Sequence, residues 1–185
     1  MAKTVCPWWL GYWLLSPILK VRENPASALA PFIREGMVVL EPGPAMGFFT
    51  LDAARLVGPT GRVVAVDVQP RMLAALERRA ARAGLADRIE TRVAQPATLG
   101  VADLTGRVDV VLALHVVHEL PDARAFFAEA CAALKPGGCL LMAEPKGHVS
   151  EAKFAASVAA AGAAGFRTKG ALAGLWGRTA LLVKG

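Results

Sequence analysis

The chain has 185 residues, 55% of them hydrophobic and 19% charged, with a formal net charge of +6. That length builds one well-buried core and is too short for two; the lack of low-complexity tracts and of repeats excludes disordered, collagen-like and solenoid classes. Three cysteines, Cys6, Cys131 and Cys139, have neither a paired framework nor metal-type spacing, which excludes a disulfide scaffold and points to a reducing, cytoplasmic setting.

At the N-terminus, VCPWWLGYWLLSPIL (5–19) is apolar but shorter than the roughly 20 residues that cross a bilayer. It contains prolines and a glycine, and the charged KVRE separates it from ASALA (26–30), so it is read as neither a transmembrane span nor an export signal. Trp8, Trp9, Tyr12 and Trp13 cluster there, and residues 1–36 are expected to act as a substrate lid or to pack against the body. Asn24-Pro25 starts a helix that Pro31 splits into two short pieces before Gly36 stops it. From there strand and helix alternate. MVVLE (37–41), RVVAVD (62–67), RIETRVA (88–94), VDVVLAL (108–114) and GCLLMAE (138–144) read as strands, and GFRTKGAL and RTALLVKG as two closing ones. Helices are expected at 47–58, 70–84, 121–134 and near 150–163.

Several of these strands are apolar on both faces, the pattern of a mostly parallel sheet covered by helices on each side. The class is therefore α/β, a doubly wound sheet of seven strands. Ligands of such sheets bind beyond the carboxyl ends of the strands, so the residues just after each strand hold the candidate site. The first strand ends in Glu41, followed by a turn with Gly43, Pro44, Ala45 and Gly47 that lets backbone approach a ligand closely. The spacing G-x-A-x-G differs from the G-x-G-x-x-G of dinucleotide binders, and a carboxylate beside the turn repels a pyrophosphate and attracts an ammonium. The second strand ends in Asp67, placed to accept hydrogen bonds from a ribose diol. Either acid singly also reads as a helix cap.

VVLEPGPAMGFFT, GRVVAVDVQPRML, VDVVLALHVVHELPD and LKPGGCLLMAEPK together resemble the class I S-adenosylmethionine-dependent methyltransferases, over residues 37–185. The resemblance implies a Rossmann-like cofactor-binding domain over that stretch, with S-adenosylmethionine as cofactor. It assigns Glu41 to the methionine ammonium, Gly43 to Gly47 to the turn under methionine and ribose, Asp67 to the ribose, and Val68 to one face of the adenine. Gln95 stands where an aspartate commonly accepts from the adenine amino group, and an amide carbonyl accepts there too. Ala45 replaces the central glycine. Leu114 occupies the place after the fourth strand where amino-methylating enzymes of bases and glutamine carry an N-P-P-Y-like motif.

The acceptor end holds all three histidines, His115, His118 and His148, with Glu119 and Glu144 nearby. Each histidine is a candidate general base toward a hydroxyl, thiol or amine, and each has a purely structural reading. A metal site is not supported by their spacing. The expected function is methyl transfer to a small, apolar or aromatic acceptor. RNA or protein methylation and a non-catalytic cofactor-binding module are the alternatives. The basic charge leaves room for a nucleic acid, but its densest run, ERRAARAG (77–84), reads as the solvated face and end of a helix, and no RNA-binding motif accompanies it. The oligomeric state stays open.

Overall fold

The computed structural model describes residues 24–95, 97–172, 175 and 177–185. The aromatic segment at 8–13, with its lid or packing role, lies outside the described residues. α1 (Pro25–Leu29) begins where the Asn24 Oδ1 accepts from Ser27 N at 3.2 Å, with Pro25 in the first turn. Then follow β1 (Val38–Pro42), α2 (Thr50–Leu56), β2 (Arg62–Asp67), α3 (Pro70–Arg82), β3 (Ile89–Val93) and β4 (Val108–Leu114). α4 (Ala123–Ala133), β5 (Leu134–Glu144), α5 (Glu151–Ala163), β6 (Phe166–Gly170) and β7 (Arg178–Lys184) complete the chain.

The seven strands form one sheet in the order β3-β2-β1-β4-β5-β7-β6. β1 to β5 pair in parallel, and β7 runs antiparallel to both β5 and β6. Because side chains alternate across a strand, neighbours in the sequence enter different cores. Val39, Val63, Ala65, Val110, Leu112 and Leu141 pack on one face with Leu29, Leu73 and Leu76 from α1 and α3. Leu40, Val64, Val66, Val111, Leu140 and Met142 pack on the other with Phe126, Phe127 and Ala161 from α4 and α5. This two-sided burial is why the strands read as unbroken apolar runs. β1 sits between β2 and β4, which is where strand order reverses, so the crevice for a ligand opens over Pro42, Asp67 and Leu114.

Several boundaries differ from expectation for identifiable reasons. The helix expected at 47–58 spans Thr50–Leu56, because residues 45–49 form turns and Gly47 adopts φ 84°. The second helical piece expected after Pro31 is a set of turns, with Phe32 N and Ile33 N both bonded to Leu29 O. α4 starts two residues after Pro121, because the Asp122 carboxylate caps it by accepting from Arg124 N and Ala125 N. β5 reaches back to Leu134, its pairing with β4 shifting register between Val108 and Val110. No helix among the described residues is long and apolar enough to cross a membrane.

Candidate active site

A cavity of about 480 Å³ opens over the carboxyl ends of β1, β2 and β4, a volume suited to a small-molecule ligand. Glu41, on β1 and paired in register with Ala65, is only 3% exposed, and its Oε2 has no hydrogen-bond partner among the described residues. Burial pushes its carboxyl up to about 7, the Thr50 hydroxyl pulling the other way. That hydroxyl is itself buried without completing a hydrogen bond. Asp67, 8% exposed, closes β2 and accepts from Gln69 N at 2.8 Å. Burial raises its carboxyl to about 6, the Gln69 and Ala45 N–H groups oppose the rise, and the Glu119 carboxylate adds to it. Neither acid caps a helix by its side chain: the N-cap residues of α2 and α3 are Phe49 and Gln69, and neither helix has a side-chain cap.

The turn between β1 and α2 is drawn tightly against its surroundings. Gly43 N donates to Val66 O at 2.8 Å, and a Cβ added at Gly43 would meet Val116 Cγ2 at 2.6 Å, so any other residue must displace Val116 and take the strained φ of 68°. Ala45 takes φ 49°, the left-handed conformation that the glycine it replaces adopts freely. Arg79 of α3 donates from Nη1 to Met46 O, tying the turn to that helix. Arg79 therefore departs from the solvated face read for 77–84; it is half-buried, and desolvation lowers its pKa.

At the acceptor end, β4 runs into His115, whose φ of 60° turns the chain sharply, while its backbone N donates to Ala143 O at 2.7 Å. Glu144, 1% exposed at the end of β5, accepts from Val117 N at 2.8 Å through Oε1 and meets His118 Nδ1 at 2.5 Å through Oε2. The His118 and His148 rings lie 6.1 Å apart between centroids, and His118 Nε2 is 3.9 Å from Glu119 Oε1.

Glu41, Gly43, Pro44, Ala45, Asp67, Val68, Gln95 and Leu114 all line this one cavity, as do His115, His118 and His148. Gly47 does not. It faces Leu76 of α3, where a Cβ would clash, so its lack of a side chain lets the turn pack closely on that helix. Sequence reasoning missed Thr50, Val116 and Glu129. Glu129 accepts from Leu99 N at 2.9 Å and from Thr98 Oγ1 at 3.0 Å, pinning the loop after β3 that carries Gln95. Its spacing of three from Phe126, which also lines the cavity, is the only local signal for it. Among the described residues no group of three or more His, Cys, Asp or Glu is arranged to hold a metal ion.

A buried carboxylate oxygen without a hydrogen-bond partner among the described residues, beside a turn that leaves little room for a Cβ at Gly43, fits the ammonium and close backbone contact of S-adenosylmethionine. The sequence profile of the methyltransferase domain family matches residues 33–172. An arsenite methyltransferase from Halobacterium salinarum is 35% identical over 112 residues, 60% of this chain and 27% of that protein. Another, from Aquipseudomonas alcaligenes, is 32% identical over 147 residues, 75% of this chain and 42% of its own length. The chain thus spans less than half the length of these curated relatives. A SAM-dependent methyltransferase from Aquifex aeolicus has the same fold, with a TM-score of 0.80 at 21% identity and 97% of both chains covered. On the family match over residues 33–172, the chain belongs to the methyltransferase domain family, with S-adenosylmethionine as its cofactor.

Proposed function

We propose that this chain transfers a methyl group to a small acceptor that is apolar or aromatic in body and carries no negative charge. The observation that carries the reading is the Glu41 oxygen with no hydrogen-bond partner among the described residues, buried in the same cavity that Asp67 lines. Glu41 would hold the ammonium of S-adenosylmethionine and Asp67 its ribose hydroxyls, with Val68 against the adenine and Gln95 accepting from the adenine amino group. When bound, the cofactor supplies a methyl carbon activated by a sulfonium. The chain's own residues have to align the acceptor, exclude water and take up its proton. His118 and His148, side by side at the acceptor end, are the groups suited to that proton, and His118 is the base in this reading.

The lining supports the acceptor class. Phe48, Phe49, Val116 and Leu120 give an apolar body, and the acids are Glu41, Asp67, Glu119, Asp122 and Glu129. No lysine or arginine joins them among the described lining residues, so an anionic acceptor meets like charge. This weighs against RNA despite the net charge of +6. Arsenite, the substrate in the names of two relatives, calls for soft thiolate ligands. Cys131 and Cys139 lie off the lining, and burial pushes the Cys139 thiol up to about 11.

Calorimetry tests the cofactor half. Asp67→Ala should weaken S-adenosylmethionine binding by about 1 to 3 kcal/mol, from lost charge-assisted hydrogen bonds; unchanged affinity refutes the assignment. A panel of neutral, cationic and anionic acceptors, read by S-adenosylhomocysteine release, tests the rest. Binding with no turnover across the panel would instead favour a non-catalytic module.

A further inference from the structure

We infer that Glu144 is a positioning residue that fixes the tautomer of His118, placing the ring hydrogen on Nδ1 and leaving Nε2 as the basic nitrogen. The inference rests on the reading of His118 as the base of the proposed methyl transfer. Glu144 ends β5 at 1% exposure with both carboxylate oxygens engaged: Oε1 accepts from Val117 N at 2.8 Å, and Oε2 faces His118 Nδ1 at 2.5 Å. An ionised carboxylate only accepts, so the ring nitrogen facing it carries the hydrogen. A neutral imidazole has one ring hydrogen, and its lone pair is then on Nε2. Among the described residues, the charged or titratable groups around the ring include Glu144 from β5, Glu119 at 3.9 Å from Nε2 on its own turn, and His148 at 6.1 Å between ring centroids from the loop after β5. Once Nε2 has taken the acceptor's proton, the imidazolium lies between the two carboxylates, which stabilise it. The proton then leaves to solvent before the next turnover.

Glu144 also anchors the turn that carries Val116, and Val116 packs on Gly43, so loss of the whole side chain would mix positioning with structure. Glu144→Gln separates them. Its amide oxygen still accepts from Val117 N, while its NH2 donates to Nδ1 and so drives the ring hydrogen to Nε2.

The test is long-range ¹H–¹⁵N correlation spectroscopy of protein labelled at histidine nitrogen, assigned with His118→Gln, and it needs no acceptor. The expected result is His118 as the Nδ1–H tautomer in the wild type and as the Nε2–H tautomer in Glu144→Gln. An Nε2–H tautomer in the wild type, or an unchanged tautomer in a folded Glu144→Gln, overturns the inference. Should the variant not fold, the wild-type spectrum alone decides. With any acceptor the wild type turns over, Glu144→Gln should lower kcat by about 100-fold at unchanged cofactor Kd. A switched tautomer with unchanged kcat would keep the assignment of Glu144 and remove His118 as the base.

Discussion

Replacing Glu41 with glutamine should make the cofactor-free protein more stable at neutral to alkaline pH and no more stable in acid. Burial lifts the Glu41 carboxyl from 4.5 to about 7. The folded chain therefore keeps a proton that the unfolded chain releases between those two values, and stability falls as pH rises through that window. A displacement of that size corresponds to about 3 kcal/mol, fully expressed above pH 7 and absent below 4.5. Glutamine has no charge to bury, so the variant loses this slope. Asp67, raised from 3.8 to about 6, contributes a similar slope to both proteins and cancels in the difference. Urea denaturation of both proteins at a series of pH values is the assay, read as the difference in unfolding free energy. A gap growing from near zero in acid to about 2 to 3 kcal/mol in favour of glutamine at pH 8 is expected. Parallel profiles, or a less stable variant at pH 8, would refute the reasoning. In the proposed function Glu41 would hold the cofactor ammonium, so the same substitution should lower S-adenosylmethionine affinity while stability climbs.

Ala45→Gly should raise thermal stability by about 0.5 to 1 kcal/mol, since relief of the left-handed strain at φ 49° exceeds the entropy that glycine adds to the unfolded chain; calorimetric scanning that finds a lower Tm contradicts this. Gly43→Ala should abolish cofactor binding or cost about 2 kcal/mol or more of stability, because its Cβ would lie 2.6 Å from Val116 Cγ2. Val116→Ala in the same chain should restore part of the loss, and a fully additive pair in denaturation would show that the two side chains do not compete for the space. Glu129→Ala frees Leu99 N and Thr98 Oγ1 and should speed hydrogen exchange in residues 97–100 without changing exchange in β1 or β2.

The sheet was legible because each inner strand is an apolar run that stops at a residue of another kind: Glu41 then Pro42, Asp67, His115 after Leu114, and Glu144. Of those stops, Glu41, Pro42, Asp67, Leu114 and His115 line the cavity, and position at a strand end singled out these acids and the histidine as candidates. What stayed hidden depends on packing between distant parts of the chain. Val117 and Glu144 are bonded only because β4 and β5 pair in the register Leu114 to Ala143. Gly47 has the spacing of a ligand turn, yet α3 crosses it and Leu76 takes up the space. Arg79 looked like one more solvated arginine of 77–84 until the fold brought Met46 O beneath it. Turn chemistry explains the shifted helix starts, since Asp122 outcompetes Pro121 as the place where α4 begins.

The acid-lined cleft sits within a chain whose formal charge is +6. With the acceptor class proposed above, exterior and interior would act oppositely on a polyanion, the first attracting it at long range and the second opposing its entry. Ionic strength weakens the outer attraction within about 10 Å of screening and acts far less on the enclosed carboxylates. Where the protein lingers in a crowded, charged milieu and what it alkylates there are thus governed by separate electrostatics, and salt tunes the first with little effect on the second.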